Sequence, residues 1–379
     1  MEVLRIQQTQ MKPLRVLVVG LTPPPFGGQT VMMQLLLDGA YRDIELVHVR
    51  MNFSKELKST GKFEFSKIWE LFRVVAAIYC VKLRMRPEVL YYPPAGPNLV
   101  PVLRDIFILC TTRWLFRATA FHFHTGGLCE YSLSLNFVLK KLFQLAYARP
   151  DLVIRTAYGA SPDGPALCCK RDLVVPNGMP DCAGGSIERM AESSMRVNIL
   201  FVAMLYEEKG VVVAVQSVQQ LLAAGMDVEL TCLGEWRSLE VQRRVEAMIE
   251  PEFKSRFNFP GVQTGESKWE YYRKAHIFLF PSYVPAETFG LVLVEAMCFS
   301  LPVVATRWRG IPEVVEEGSC AILCEPRDVA SCLDALFLLV KDPSLRDRMG
   351  QKSRDRYLRY FTIEAHRQAM ERALSQLRG

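Results

Sequence analysis

Two carboxylates, Glu287 and Glu295, flank the turn Thr288-Phe289-Gly290 in the segment PSYVPAETFGLVLVEAMCFSLPVVATRWRGIPEVVEEGSCAILCEP, which runs from Pro281 to Pro326. Carboxylates accept hydrogen bonds from the hydroxyls of a sugar or a ribose. The apolar run Ile277–Phe280 predicts a buried parallel strand ending at Pro281 and Ser282. From Leu291 to Phe299 the apolar residues fall at helical spacing. Glu287 is then expected in a loop beyond a strand's carboxyl end, and Glu295 in the early turns of the next helix. Open α/β sheets bind ligands at that place. Unpaired N–H groups and the positive dipole end at Gly290–Leu291 suit a phosphate. Together these features describe a pocket for a sugar-phosphate compound.

Two segments of the first half place a Gly-Gly pair after a predicted strand. Phe121-His-Phe-His-Thr-Gly-Gly127 ends a predicted strand at His124, and His122 points to the same face if the strand is regular. The strand Arg15–Val19 runs into Gly20-Leu-Thr-Pro-Pro-Pro-Phe-Gly-Gly28 and a helix from Gln29 to Leu37. Gly27 and Gly28 permit close approach of the backbone to a ligand at the helix start.

The segment from Pro281 to Pro326 resembles the donor-site signature of the family 4 retaining glycosyltransferases, which have the GT-B fold. That signature is Glu, seven residues, Glu, then a Pro-Val-Val-Ala strand and a Gly-Ile-Pro-Glu-Val-Val turn. Here these are Glu287, Glu295, Pro302–Ala305 and Gly310–Val315. The resemblance implies that Glu295 holds the ribose hydroxyls of a nucleotide. It implies that Glu287 contacts the transferred sugar and stabilises positive charge at its anomeric carbon. The N–H groups of Phe289, Gly290 and Leu291 would meet sugar and phosphate, and Lys209, in Glu-Glu-Lys-Gly210, would bind the diphosphate. His124 would contact the donor sugar near its 6-position. The Gly27–Gly28 loop would face the cleft, Gly234 would lie near the nucleotide, and the base near Gln263–Glu266. Members of the family retain the anomeric configuration and need no divalent metal and no cofactor beyond the nucleotide-diphospho sugar itself.

One residue departs from the pattern. Five residues before Lys209, where the family usually has a second diphosphate-binding arginine, stands Met204. A thioether donates no hydrogen bond, and losing one such donor can add about 3 kcal/mol to the barrier. Arg237, Arg307 and Arg309 are candidate replacements. The leading reading is a hexosyl-type transferase acting on a lipid-linked or surface polysaccharide precursor. The alternatives are a GT-B protein that binds the nucleotide sugar without transferring it, as a sensor or scaffold, and a hydrolase or epimerase of nucleotide sugars.

These residues need two doubly wound sheets to hold them. Further strands are predicted at Leu46–Val49, Val89–Tyr92, Ala120–His124 and Leu152–Ile154, and a second series at Val197–Ala203, Val228–Leu233, Asn258–Phe259, Ile277–Phe280, Val303–Ala305 and Ala321–Leu323. Helical stretches alternate with them, as in parallel sheets. The fold class is therefore α/β, and the resemblance implies two Rossmann-like domains facing a cleft. The expected division is residues 1–178 as the acceptor-side domain, 179–194 as linker and 195–361 as the nucleotide-sugar domain. A last helix, 362–379 with Thr362 as its cap, would cross back to the first domain.

Composition narrows the partners. The 379 residues are half hydrophobic and carry a net charge of +6. Residues 1–190 contribute +8 and residues 191–379 contribute −2. No recognition motif for nucleic acid accompanies the basic half. An anionic membrane fits it better, and the amphipathic segment from Lys67 to Arg86, with Trp69 and Phe72, matches an interfacial helix or an ordinary packing helix with cations at its last turn. Met1–Gln10 is polar, so no cleavable leader is expected there. The eleven cysteines are scattered without zinc-ligand spacing and read as reduced core thiols of a cytoplasmic protein, peripheral on the inner face of a membrane.

Overall fold

The computed structural model describes residues 12–24, 27–53, 65–185 and 196–378, without the side chains of residues 65–67. Met1–Gln10, Pro25-Phe26 of the glycine loop, Lys67's side chain and residues 186–194 of the expected linker lie outside the described residues.

The first half alternates strands and helices: β1 Leu14–Gly20, α1 Gly28–Leu37, β2 Ile44–Arg50, α2 Phe65–Met85, β3 Val89–Tyr92, α3 Leu99–Thr112, β4 Ala118–Phe123, α4 Leu128–Ser132, α5 Phe137–Tyr147, β5 Leu152–Arg155, α6 Asp163–Ala166 and β6 Asp172–Val174. The second half repeats the plan: β7 Val197–Val202, α7 Val211–Ala223, β8 Val228–Leu233, α8 Leu239–Met248, β9 Phe257–Gly261, α9 Gly265–Lys274, β10 Ile277–Phe280, α10 Leu291–Cys298, β11 Val303–Thr306, α11 Ile311–Val314 and β12 Ala321–Cys324. Three helices end the chain, α12 Val329–Lys341, α13 Pro343–Tyr360 and α14 Ile363–Ser375.

Each half forms a six-stranded sheet, in the orders β2-β1-β3-β4-β5-β6 and β12-β11-β10-β7-β8-β9. Every strand pair is parallel. Helices cover both faces, so the central strands are buried on both sides and read as unbroken apolar runs. On the first sheet, α2, α3 and α5 share one core with Leu17, Leu90 and Phe121. The opposite face is covered by α1 and by α14, whose Met370, Ala373 and Leu374 pack with Val16, Val18 and Ile154. The last helix thus completes the first domain after the chain has built the second. Thr362 caps it by accepting a hydrogen bond from Ala365 N at 3.2 Å.

Two details differ from the sequence expectation. The strand expected at Ala120–His124 ends at Phe123, so His124 stands just beyond it. A sixth strand, Asp172–Val174, adds to those expected in the first half. It has only three residues at the sheet edge, half-buried, and its apolar run Leu173–Val175 is short and cut off by Pro176.

Candidate functional site

In the second sheet the chain leaves β7 toward β8 and β9, then returns to lay β10 on β7's other side. The loops after β7 and β10 diverge there and leave a crevice at the carboxyl ends of the strands. Lys209 comes from the first loop and Glu287 from the second. Their side chains form an ion pair of 2.6 Å, and Ser282 Oγ donates to the same carboxylate oxygen at 3.2 Å. Burial works against the Lys209 charge, but Glu287 outweighs it and holds the ammonium above its ordinary pKa. Lys209 therefore stays cationic in a site poor in water.

A close backbone approach fixes this pairing. Gly210, at φ 88°, ends the turn that carries Lys209, and a Cβ there would fall 2.2 Å from the carbonyl oxygen of Pro281. Only glycine lets the two loops lie this close. Gly234 has the same function on the neighbouring strand: at φ 145° its Cβ would sit 1.8 Å from Ala203 O. The loop after β8 is thereby pressed onto the residues around Met204, with Leu205 N bonded to Glu235 O at 2.8 Å and Arg237 N to Leu205 O at 3.1 Å.

Next to Glu287, α10 begins at Leu291 after Gly290 in the left-handed conformation, with no side-chain cap. The N–H groups of Phe289, Gly290 and Leu291 have no hydrogen-bond acceptor among the described residues. The ring of Phe289 is buried and meets Phe361 edge-on at 5.9 Å. Its side chain is core, and only its backbone faces the crevice.

Glu295 lies within α10 and is buried. One carboxylate oxygen accepts from Lys268 Nζ and the other from Tyr272 OH, each at 2.6 Å. Both partners come from α9, four residues apart on one face, and sequence reasoning missed them. Their spacing in Lys-Trp-Glu-Tyr-Tyr272 is a visible signal, but only the fold shows that this face meets Glu295. The Gln263–Glu266 stretch forms the entry to α9 and lies beside the Gly234 loop, through Gly234 N to Gly261 O at 2.9 Å.

Three arginines are candidates to replace the missing cation at 204. Arg307 is held by Glu317 at 2.5 Å and by Glu325 at 3.3 Å. Arg309 reaches Glu130 of the first domain at 3.6 Å. The guanidinium of Arg237 lies 4.9 Å over the ring of Tyr206 and has no carboxylate partner among the described residues.

The first domain closes the crevice. His124 O accepts from Thr288 Oγ1 at 2.8 Å, and Gly126 N bonds to Ala286 O at 3.3 Å. The His124 ring lies 4.1 Å from that of His122, whose Nδ1 pairs with Tyr91 OH at 2.6 Å. Neither nitrogen of His124 has a partner, and Thr125 Oγ1, Thr156 Oγ1 and Asn177 Oδ1 are also buried and unpaired. They follow β4, β5 and β6, which are adjacent at the sheet's carboxyl edge. Burial, with the nearby His366, lowers the His124 pKa to about 3, so the ring is neutral. It can donate or accept a hydrogen bond but carries no charge. Gly27 caps α1, and Thr30 Oγ1 accepts from its N–H at 3.0 Å, after β1 on the same sheet edge. Among the described residues, no group of His, Cys, Asp and Glu side chains is placed to hold a metal ion.

Comparison with known proteins bears on the family and the fold. Residues 187–356 match the family described as glycosyl transferases group 1. A D-inositol 3-phosphate glycosyltransferase of Corynebacterium efficiens is 34% identical over 159 residues, 40% of this chain and 37% of that protein. The amylovoran biosynthesis glycosyltransferase AmsK of Erwinia amylovora is 34% identical over 146 residues, 38% of this chain and 35% of that one. The matched region thus spans about a third of each relative's length. Sucrose-phosphate synthase from Thermosynechococcus elongatus superposes with a TM-score of 0.73 at 18% identity, over 96% of this chain and 99% of that one. Anabaena HepE in complex with UDP gives 0.71 at 16% identity, over 96% and 100%. Residues 187–356 thus carry the glycosyl transferases group 1 family match, and the two parallel sheets of the chain form the GT-B fold.

Proposed function

We propose that this protein is a retaining glycosyltransferase that moves a hexose from a nucleotide-diphospho sugar to a hydroxyl of a lipid-linked or surface polysaccharide precursor. The observation that carries the reading is the Lys209–Glu287 pair beside three free N–H groups at the β7/β10 crevice. A leaving diphosphate needs cations and N–H donors more than it needs a nucleophile. Lys209 and the N–H groups of Gly290 and Leu291 answer that need, and Arg237, aligned with Leu205, is the cation best placed to stand in at Met204. Glu287 would lie along the sugar and offset the positive charge that grows at the anomeric carbon as its bond to phosphate breaks. The acceptor oxygen would attack from the face the phosphate leaves, and a phosphate oxygen would take its proton. Neutral His124 and the unpaired Thr125, Thr156 and Asn177 atoms offer hydrogen bonds to sugar hydroxyls.

The donor class rests on the crevice and is favoured by the UDP bound in the Anabaena protein. The acceptor class is favoured by a relative named for amylovoran biosynthesis. Thermal unfolding with a panel of nucleotide sugars tests the reading, since a ligand at 100 times its Kd adds about 2.7 kcal/mol. One donor should raise the melting temperature, and Glu295→Ala should abolish the shift. A panel that moves nothing would defeat the proposal.

A further inference from the structure

The helices α2, α3 and α5 lie on one face of the first sheet, anchored through Val74, Leu109 and Phe143 in a single core. Their outer sides therefore look the same way. A helix on a soluble surface normally turns polar residues outward. Here the outward residues are large and apolar. On α2, Trp69 is 76% exposed and Leu83 77%, with Phe72 on the same stripe. On α5, Phe137 is 70% and Leu145 67% exposed. The two stripes are joined across α3, where Phe107 meets Phe72 edge-on at 5.5 Å and Cys110 Sγ lies 3.8 Å from Leu142 O.

Charge identifies what this face would meet. Residues 68–117 and 133–149 contain ten Lys and Arg against three Asp and Glu. Each of those three carboxylates is matched by an arginine, in Glu70–Arg73, Glu88–Arg117 and Asp105–Arg104. Arg84, Arg86, Lys140 and Lys141 have no carboxylate partner among the described residues, and Lys141 lies 4.4 Å over the Phe137 ring. Protein interfaces deplete lysine at their centres. Lysines set among exposed aromatic and aliphatic residues instead suit a lipid headgroup layer, where the apolar groups enter and the cations meet phosphates. No helix among the described residues is long and apolar enough to cross a membrane.

We propose that the outer face of α2, α3 and α5 docks on an anionic phospholipid bilayer, with Trp69, Phe72, Leu83 and Phe137 entering the headgroup region and Lys140 and Lys141 on lipid phosphates. This deepens the proposed function by assigning the surface that brings the cleft to a membrane-bound acceptor. In the chain α5 follows α4 and Gly126, and Gly126 N bonds Ala286 O of the second domain at 3.3 Å. Binding to the bilayer does not depend on which donor is used.

Sedimentation of the full chain with vesicles tests it, with no nucleotide sugar present. The chain should bind vesicles of phosphatidylglycerol and phosphatidylcholine in equal amounts, bind phosphatidylcholine alone weakly, and come off in high salt. Lys140→Gln with Lys141→Gln should weaken partitioning about 30-fold, at the usual worth of a surface cation. Trp69→Ser with Phe137→Ser should weaken it on both vesicle types. Unchanged melting temperatures and donor-induced shifts verify that the variants fold and keep the cleft. The proposal falls if phosphatidylglycerol vesicles do not retain the protein, or if both double variants bind as the parent does. It falls equally if light scattering shows a dimer that Trp69→Ser with Phe137→Ser dissolves, because a second copy would then cover the face. A failed donor panel would leave the vesicle result standing.

Discussion

Met204 is the residue at which this site needs an explanation. A thioether at the end of β7 gives a leaving diphosphate nothing to hold, and Lys209 alone is shared with Glu287. Arg307 is occupied by two carboxylates, and Arg309 is drawn across to Glu130. Arg237 is the remaining candidate, held by its backbone against Leu205 and with its guanidinium 4.9 Å over the Tyr206 ring. Arg237→Ala should therefore lower kcat about 100-fold, the usual loss when one preorganised donor is removed. Adding Met204→Arg to that variant should return much of the rate, because it puts a guanidinium back beside the same phosphates. Steady-state rates with the donor found by thermal shift would read both effects. A silent Arg237→Ala would remove Arg237 from the mechanism.

Loops rather than strands decide the geometry of the site, and two glycines set those loops. Gly210→Ala would combine a left-handed backbone with a Cβ driven into Pro281 O, and should destabilise the second domain by about 3 kcal/mol or more while moving Lys209 off Glu287. Gly28→Ala is the matching control, since a Cβ there meets open space and alanine favours a helix start by up to about 1 kcal/mol. Denaturant midpoints of the two variants should move in opposite directions. The loops also mark where the sequence stops being readable. Doubly buried strands such as Ile277–Phe280 and Val303–Thr306 show as apolar runs, and the Glu287–Glu295 spacing shows which loop carries the chemistry. The three-residue edge strand Asp172–Val174 carries only the short run Leu173–Val175 before Pro176, too little to separate a strand from a loop. The grip of Lys268 and Tyr272 on Glu295 arises between two separate helices, and so does the outward apolar face shared by α2 and α5. Only the packing brings those groups together.

At the scale of the whole molecule, the first domain is complete only when α14 returns to it, and that return is sealed by neutral histidines. His366 on α14 bonds Pro176 O through Nδ1 at 2.7 Å, while the rings of His122 and His124 lie tilted against each other at the facing sheet edge. Burial is the main cause that lowers all three pKa values, to about 4 for His366 and about 3 for His124. An unfolded chain would protonate the same rings near 6.5. Stability from these groups is therefore whole above about 6.5 and is lost as pH falls toward the folded values, because the unfolded state then binds more protons. At pH 5 His124 and His366 should each cost about 2 kcal/mol. Paired carboxylates such as Asp181 and Glu317 have pKa values held below their ordinary range, so they add little to the slope between pH 6.5 and 5. Melting curves from pH 8 to pH 5 should show a steady fall, and His366→Gln, which keeps a donor but does not titrate, should flatten it. Because the histidines lie between the sheet and α14, the fall should come with loosening of that helix, visible as faster amide exchange over Ile363–Ser375 than over β10. An unchanged melting temperature across this range would mean that the rings protonate without opening the junction, and that the seal is made by apolar packing of Met370 and Leu374 alone.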